Sequence, residues 1–217
     1  MDTYSKILEW DDEFKAMITR RKILAWIVKL SIPEFRDVDV ESITVGMRPD
    51  GDRDAKVENT VLEREGGSKS VLDSLFLIDA NVGGSILPIM VGIEHQNNPN
   101  PEYPLGDRMQ YYAAKMFASE KHHDYMDLRP AYSIWILPDP KASFRGRKGI
   151  IQMMDTAEDS PSSSWQSMIN VIWIGLGTDG EDGSNIVDFL SLFFMKNCRA
   201  REGNGFDKYL ERYSLTT

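Results

Sequence analysis

The sequence lacks the features that mark secreted and membrane proteins. Its 217 residues include one cysteine, Cys198, which excludes an intrachain disulfide bond and a metal cluster of thiolates. No apolar run reaches the roughly 18 residues that a membrane-spanning helix requires. The first residues lack the basic start and apolar centre of a signal peptide. We therefore expect a cytoplasmic protein that does not enter a membrane.

The sequence is also short of basic residues. It has 25 Lys and Arg against 34 Asp and Glu, which gives a net charge of −9. Because neutralisation of phosphates by Lys and Arg supplies most non-specific affinity for nucleic acids, this balance argues against broad nucleic-acid binding. Contact at a local cationic patch stays open, since salt screens charge effects beyond about 10 Å. Two basic clusters are present, at residues 20–22 and 145–148.

What the chain does contain is enough for a hydrophobic core. Hydrophobic residues make up 41% of the sequence, and five residues are tryptophan. A length of 217 residues fits one domain of ordinary size. The sequence contains neither an internal repeat nor a low-complexity linker. We expect a single α/β domain over residues 1–217.

The segment 70–96 is the most informative part of the chain. Two apolar runs of strand length flank the turn-forming residues Asp79–Gly84, and this pattern predicts an antiparallel hairpin. Asp73 lies early in the first run, and Glu94 and Gln96 lie at the end of the second. Pairing around the turn brings Asp73 beside Glu94 and Gln96. The alternation of side chains along a strand directs Glu94 and Gln96 to the same face and His95 to the other.

Asp73 and Glu94 are thus two carboxylates that the hairpin brings together. Burial of an ionised carboxylate without a partner is costly, so their convergence predicts a bound cation. Carboxylates at strand ends also face solvent or pair with Arg in many proteins, and the residues alone leave both interpretations open. Pro88 predicts a bend or bulge in the second strand, because proline cannot donate to a ladder.

Other elements follow from periodicity and turn signals. Apolar residues at helical spacing predict amphipathic helices over Asp11–Leu30 and from Leu105 to about Glu120. The remaining predicted elements are a short strand at Ser42–Met47, a strand between Lys56 and Glu65, a strand at Ala131–Leu137, a short strand or turn at Ile150–Met154, a helix that begins at Ser160-Pro161, a strand at Ile169–Gly175, a buried helix at Ile186–Met195 and a final helix at Phe206–Tyr213.

Four spaced motifs accompany this order of elements. They are Asp12-Glu13-Phe14-Lys15 at the first helix, Leu72-Asp73 in a strand, Ile93-Glu94-His95-Gln96 in the next strand, and Arg108 to Tyr112 in the second long helix, with the pattern Arg-x-x-x-Tyr. In this combination the chain resembles the PD-(D/E)XK nuclease family transposases, the group that includes the recombination-promoting nucleases. The likeness covers roughly residues 11–137.

The resemblance implies a fold and a set of site residues. The fold is a PD-(D/E)XK restriction-endonuclease-like core of order α-β-β-β-α-β over about residues 11–137, followed by a C-terminal α/β extension over about 138–217. Asp73 and Glu94 would be catalytic metal ligands for Mg²⁺ or Mn²⁺, with Gln96 as a third catalytic residue. Most enzymes of this superfamily carry Lys at that position, and a neutral amide only orients a water. The supporting residues would be Asp12, Arg108, Tyr112 and Lys115.

The function implied is that of a metal-dependent DNA endonuclease associated with transposition, which hydrolyses phosphodiester bonds with DNA as partner. Lys115, one turn from Tyr112, is a candidate for the positive charge that Gln96 lacks. The alternative is a catalytically inactive family member that acts as a protein-interaction or DNA-binding module. The acidic balance and Gln96 favour this alternative, whereas retention of both Asp73 and Glu94 favours the enzyme. The oligomeric state, including a homo-oligomer, stays open.

Overall fold

The computed structural model describes residues 14–62, 70–98, 101–120, 124–153, 167–177 and 185–194, with residues 126 and 192–194 described by their backbone only. The predicted helices that begin at Ser160 and at Phe206 lie outside the described residues, as does Asp12. The strands are β1 (Pro49–Asp50), β2 (Asp54–Ala55), β3 (Val61–Leu62), β4 (Ser70–Val71), β5 (Ser74–Val82), β6 (Ser85–His95), β7 (Ala131–Leu137), β8 (Arg147–Gln152) and β9 (Ile169–Gly175). The helices are α1 (Arg21–Ser31), α2 (Val40–Val45), α3 (Leu105–Ala118) and α4 (Ile186–Phe194).

A five-stranded mixed sheet with helices on both faces confirms the predicted α/β class. The strand order is β5-β6-β7-β9-β8. Strands β6, β7 and β9 run parallel, while β5 is antiparallel to β6 and β8 is antiparallel to β9. Strand β7 is buried at every position, which fits a central parallel strand covered on both faces. The predicted strands at Ala131–Leu137 and Ile169–Gly175 are confirmed.

The predicted hairpin is confirmed, but its turn is tighter than expected. Pairing of β5 with β6 is continuous from Ser74 opposite Ile93 to Val82 opposite Ser85. Gly83 and Gly84 alone make the turn, at φ values of 61° and 91°. Two successive residues with positive φ favour glycine and give the twist that a hairpin needs. The predicted turn at Asp79–Gly84 is therefore wrong at its start, because residues 79–82 belong to β5.

The bend or bulge predicted at Pro88 is absent from the hairpin. Pro88 lies opposite Asp79 in an unbroken register. The Asp79 N–H points away from β6, since it donates to the Gly46 carbonyl at 2.8 Å. Pro88 therefore sits at a position that exchanges no ladder bond with β5, and β6 begins to pair with β7 only at Met90. A missing N–H costs nothing at this point of the sheet.

Two hydrophobic layers hold the sheet. On one face the helical residues 14–18, α1, α2 and α4 pack against side chains of β5, β6, β7 and β9. On the other face Met109 and Ala113 of α3 pack against Trp135, Leu137 and Val171.

No helix within the described residues is both long and apolar enough to span a bilayer. Helix α3 confirms the prediction from Leu105 and ends two residues earlier, and α4 confirms the predicted buried helix.

Several predictions for the first third of the chain are wrong. The single helix predicted over Asp11–Leu30 is interrupted, because residues 19 and 20 leave the helix to bond with residues 54 and 55. The strand predicted at Ser42–Met47 is instead helix α2. Its N-cap is Asp39, whose carboxylate accepts the Ser42 N–H at 2.8 Å.

Of the strand predicted between Lys56 and Glu65, the structure describes residues 56–62, and within them only Val61 and Leu62 form a strand. Strand β3 is two residues long and pairs antiparallel with β4 in a separate small sheet. The Glu58 N–H nevertheless donates to the Leu75 carbonyl at 2.8 Å, so this segment runs beside the start of β5. Asp73 therefore lies between the residues of β4 that pair with β3 and Leu75, whose carbonyl accepts from Glu58.

Candidate functional site

Asp73 and Glu94 lie next to each other at one end of the β5–β6 hairpin. Asp73 immediately precedes β5, and continuation of the strand register places it opposite Glu94 of β6. The Asp73 N–H donates to Glu94 Oε1 at 2.9 Å. The His95 N–H donates to Asp73 Oδ2, also at 2.9 Å. These crossed bonds fix both carboxylates relative to the backbone of the other strand, and we call the two side chains the acidic pair.

The surroundings of the acidic pair disfavour two negative charges. Glu94 is 3% exposed. Burial and then the charge of Asp73 raise the pKa of Glu94 from 4.5 to about 8, against the opposing effects of the Asp73 N–H, Arg108 and Lys15. Asp73 is more accessible, with 26% of its side chain exposed. At neutral pH the buried carboxyl therefore keeps a proton unless a cation takes its place.

Gln96 and Arg108 border the acidic pair on the face covered by α3. The Gln96 N–H donates to the Ile136 carbonyl at 3.0 Å, so Gln96 continues the line of β6 beside β7. Its amide oxygen accepts from Arg108 at 3.4 Å, and its amide nitrogen donates to the Asn98 carbonyl at 3.0 Å. The side chain is thereby held at the edge of the site.

The Arg108 guanidinium lies among three aromatic rings. Its carbon is 5.1 Å from the ring centre of Tyr103, 5.0 Å from that of Tyr112 and 5.4 Å from that of Trp135. It also donates to the Tyr103 hydroxyl. Cation–π contacts of this kind restrain a guanidinium without neutralising it. Tyr112 thus supports Arg108, and the tight arrangement leaves a fixed positive charge near Glu94.

Lys15 is the functional candidate that the sequence reasoning missed. Its ammonium lies 4.0 Å from Asp73 Oδ1. The preceding residue, Phe14, is buried and stacks on the His95 ring at 4.5 Å between centres. This stack ties the first helical residues to the strand that carries Glu94. The signal was present in the Phe14-Lys15 motif, but the sequence does not reveal which strand end the lysine reaches.

Lys115, the lysine proposed from the sequence, has other contacts. It donates to Ser70 Oγ at 2.9 Å and lies 5.5 Å from the ring centre of Tyr111. These contacts attach α3 to β4. Lys15, with its ammonium 4.0 Å from Asp73 Oδ1, is therefore the lysine that we assign to the acidic pair.

The acidic pair suits a small divalent cation. Glu94 uses Oε1 and Asp73 uses Oδ2 in the crossed bonds, which leaves the second oxygen of each carboxylate outside them. Mg²⁺ prefers octahedral oxygen coordination and keeps several waters, so one or two protein carboxylates suffice. A cation at this point would also offset the burial and the Asp73 charge that raise the pKa of Glu94. The donor chemistry of the pair fits Mg²⁺ or Mn²⁺.

No larger cluster surrounds this pair in the part of the chain that the structure describes. Among those residues, no three His, Cys, Asp or Glu side chains converge on one point. Asp12, which the family resemblance assigns to the site, falls outside the described residues.

Comparison of the chain with protein-family models, with curated proteins and with solved structures finds no match.

Proposed function

We propose that this protein is a cytoplasmic, Mg²⁺- or Mn²⁺-dependent DNA endonuclease of the PD-(D/E)XK transposase type. The observation that carries the proposal is the acidic pair: two carboxylates from adjacent strands, joined by crossed backbone bonds, with the buried one at a strongly raised pKa. Perturbed carboxyl groups held together in this way are typical of functional sites.

The order of elements supports the proposed family. Helical residues 14–18 are followed by α1, α2, β1 and β2, and then by the β3–β4 segment, the β5–β6 hairpin, α3 and β7. Apart from the elements inserted before β3, this order is compatible with an α-β-β-β-α-β core, in which Asp73 lies just before β5 and Glu94 near the end of β6. Strands β8 and β9 with α4 would then be the C-terminal extension.

Each side chain at the site has a distinct part in phosphodiester hydrolysis. Asp73 and Glu94 would hold the metal, which when bound would supply positive charge next to the scissile phosphate. Arg108 presents a guanidinium whose planar donors match phosphate oxygens. Gln96 hydrogen-bonds and orients the attacking water but cannot add charge to its surroundings.

Lys15 supplies the positive charge that Gln96 cannot. Its ammonium lies beside Asp73 Oδ1 and its side chain is 39% exposed, so it is close to the pair and open to substrate. In this position it lowers the energy of a hydroxide that forms next to the phosphate. The assignment replaces Lys115 in that role.

A plasmid-nicking assay with Mg²⁺ tests the proposal. We expect the wild type to convert supercoiled plasmid to the open-circular form, and Asp73→Asn or Glu94→Gln to lower the rate at least about 100-fold, as loss of a main electrostatic group does. Asp79→Asn is the matched control. Asp79 lies in β5, the strand that begins just after Asp73, but its carboxylate pairs with Arg129 at 2.7 Å. Nicking that persists in both site variants or in a chelator would refute the proposal. DNA binding without any nicking would favour the inactive, DNA-binding alternative.

A further inference from the structure

A cleft opens next to Gln96 at the carboxyl ends of two parallel strands. It has a volume of about 120 Å³. It is lined by Gln96, directly after β6, by Leu137, the last residue of β7, and by described residues that follow each strand, among them Tyr103 and Phe144. In open α/β sheets, ligands bind in the crevice outside the carboxyl ends of the strands.

The cleft shares residues with the site described above. Gln96 lines it and also accepts a hydrogen bond from Arg108. Tyr103 lines it and carries the ring over which the Arg108 guanidinium lies. A molecule in this cleft would therefore contact two side chains that also touch Arg108, the cation proposed above to contact the phosphate.

The walls combine flat apolar surfaces and amide groups with two charged residues, Lys141 and Asp139, of which Asp139 pairs with Arg145 at 3.6 Å. Tyr103 is 40% exposed. Phe144 is braced edge-on by Trp173, with ring centres 4.9 Å apart. Gln96 and Asn98 add side-chain amides, which both donate and accept hydrogen bonds. Aromatic faces for stacking and amides for base edges are how proteins hold an unpaired nucleobase.

The volume limits what the cleft can hold. An engineered apolar cavity of about 150 Å³ binds benzene. A cleft of about 120 Å³ is somewhat smaller than that cavity, so it takes at most one six-membered ring and excludes the two fused rings of a purine. A base inside a duplex is stacked on both faces and paired at its edge, so it cannot enter without first leaving the helix.

We propose that this cleft binds one unpaired pyrimidine base of the DNA strand whose neighbouring phosphate lies at the acidic pair. The proposal rests on the DNA-endonuclease function proposed above and names its substrate class: single-stranded or locally unpaired DNA rather than intact duplex. Tyr103 stacks on the base, and the Gln96 and Asn98 amides contact its edge.

Fluorescence anisotropy on the full chain tests the proposal, with Ca²⁺ in place of Mg²⁺ to limit cleavage. The probes are an oligothymidine, an oligodeoxyadenosine of the same length and a duplex. We expect oligothymidine to bind at least about fivefold more tightly than the other two. Tyr103→Ala should remove that preference, since loss of a base–aromatic stack weakens binding by roughly this factor or more.

Two variants separate stacking from indirect effects. Tyr103→Phe keeps the ring but loses the hydroxyl that accepts from Arg108, and we expect it to retain the oligothymidine preference. Tyr125→Ala, at a side chain 84% exposed elsewhere on the surface, is the control and should bind like the wild type. Equal losses in Tyr103→Phe and Tyr103→Ala would mean that Tyr103 acts through Arg108, which overturns the proposal.

Failure of this proposal is distinguishable from failure of the nuclease function. Equal binding of oligothymidine and duplex, unaffected by Tyr103→Ala, would overturn the base-binding cleft even if plasmid nicking is observed. A Tyr103-dependent preference for oligothymidine, in a protein that cleaves neither supercoiled plasmid nor single-stranded DNA with Mg²⁺, would uphold the cleft and refute the endonuclease.

Discussion

Glu94 is a buried side chain whose ionisation changes the stability of the fold. It is buried, it faces Asp73, and its pKa is raised to about 8 by burial first and by the Asp73 charge second. In the unfolded chain the same group titrates near 4.5. The folded protein therefore binds this proton more tightly than the unfolded chain does, and it loses that stabilisation as the pH rises.

The first prediction concerns stability in the absence of metal. The contribution of the Glu94 proton is complete below about pH 4.5 and is lost as the pH rises through about 8. Glu94→Gln removes this titration, so we expect it to be more stable than wild type at pH 8 by over about 1.4 kcal/mol, the equivalent of one pKa unit. Near pH 4 the difference should be small. Urea unfolding in EDTA across this range measures it, and a difference that does not vary with pH would contradict the prediction.

The second prediction concerns Lys15. If its ammonium assists the attack on phosphate, Lys15→Gln should lower the nicking rate about 10- to 100-fold with little change in thermal stability, because the side chain is partly exposed. Lys15→Arg should recover part of the loss, since it restores the charge. Lys115→Gln, measured alongside, should have the smaller effect on rate. The opposite ranking of the two glutamine variants would restore Lys115 to the role that the sequence suggested.

At the scale of elements, the long periodic segments were predictable and the short ones were not. The β5–β6 hairpin, α3, β7, β9 and α4 each carry a full period of apolar residues or a strong turn signal. Helix α2 has only six residues, where the sequence pattern predicted a strand. Its N-cap, Asp39, accepts the Ser42 N–H and stabilises the helix. The break at residues 19–20 depends on bonds to residues 54–55, which are distant in sequence. No local pattern contains that information.

The candidate site also has one part that the sequence predicts and one part that it does not. The juxtaposition of Asp73 with Glu94 follows from hairpin pairing and alternation, so it could be predicted from the sequence. The position of Lys15 depends on how the first helical residues pack, through Phe14 on His95, and tertiary packing of this kind leaves no local signature.

The third prediction tests how closely β9 packs against the loop after β7. A Cβ added at Gly175 would lie 2.0 Å from the Phe144 carbonyl oxygen, so the backbone of that loop must move. We expect Gly175→Ala to destabilise the fold by about 1–3 kcal/mol, the usual cost of overpacking. Gly106→Ala in α3 is the control, because nothing lies within 4 Å of the added Cβ and alanine favours a helix. Thermal unfolding of both variants decides, and equal melting temperatures would refute the close contact.

At the scale of the whole molecule, a net charge of −9 repels DNA. The two basic clusters are partly engaged within the fold. Arg20 pairs with Asp54 at 3.4 Å, and Lys148 donates to the Leu30 carbonyl at 3.0 Å while burial lowers its pKa. Among the described residues, Arg108 and Lys15 are the cations whose charge acts on Glu94.

The fourth prediction follows from this charge distribution. DNA affinity should be weak in EDTA and should rise clearly with Ca²⁺, which screens the acidic pair and supports little cleavage because its coordination geometry is loose. The dependence of log affinity on log salt should be shallower than about −3, since few phosphates are neutralised. A titration of labelled DNA at several salt concentrations measures both. Tight, steeply salt-dependent binding that ignores the metal would contradict this account.

The most direct test of the central claim is a titration of the full chain with Mn²⁺ at pH 8, in which electron paramagnetic resonance measures the binding. If the acidic pair is a metal site, the wild type should bind about one Mn²⁺ per chain at this pair, and Mg²⁺ should displace it. The double variant Asp73→Asn/Glu94→Gln should lose that site, whereas Asp79→Asn should retain it. A wild type that binds no Mn²⁺, or a double variant that binds it as well as the wild type does, would contradict the claim that Asp73 and Glu94 form a metal centre.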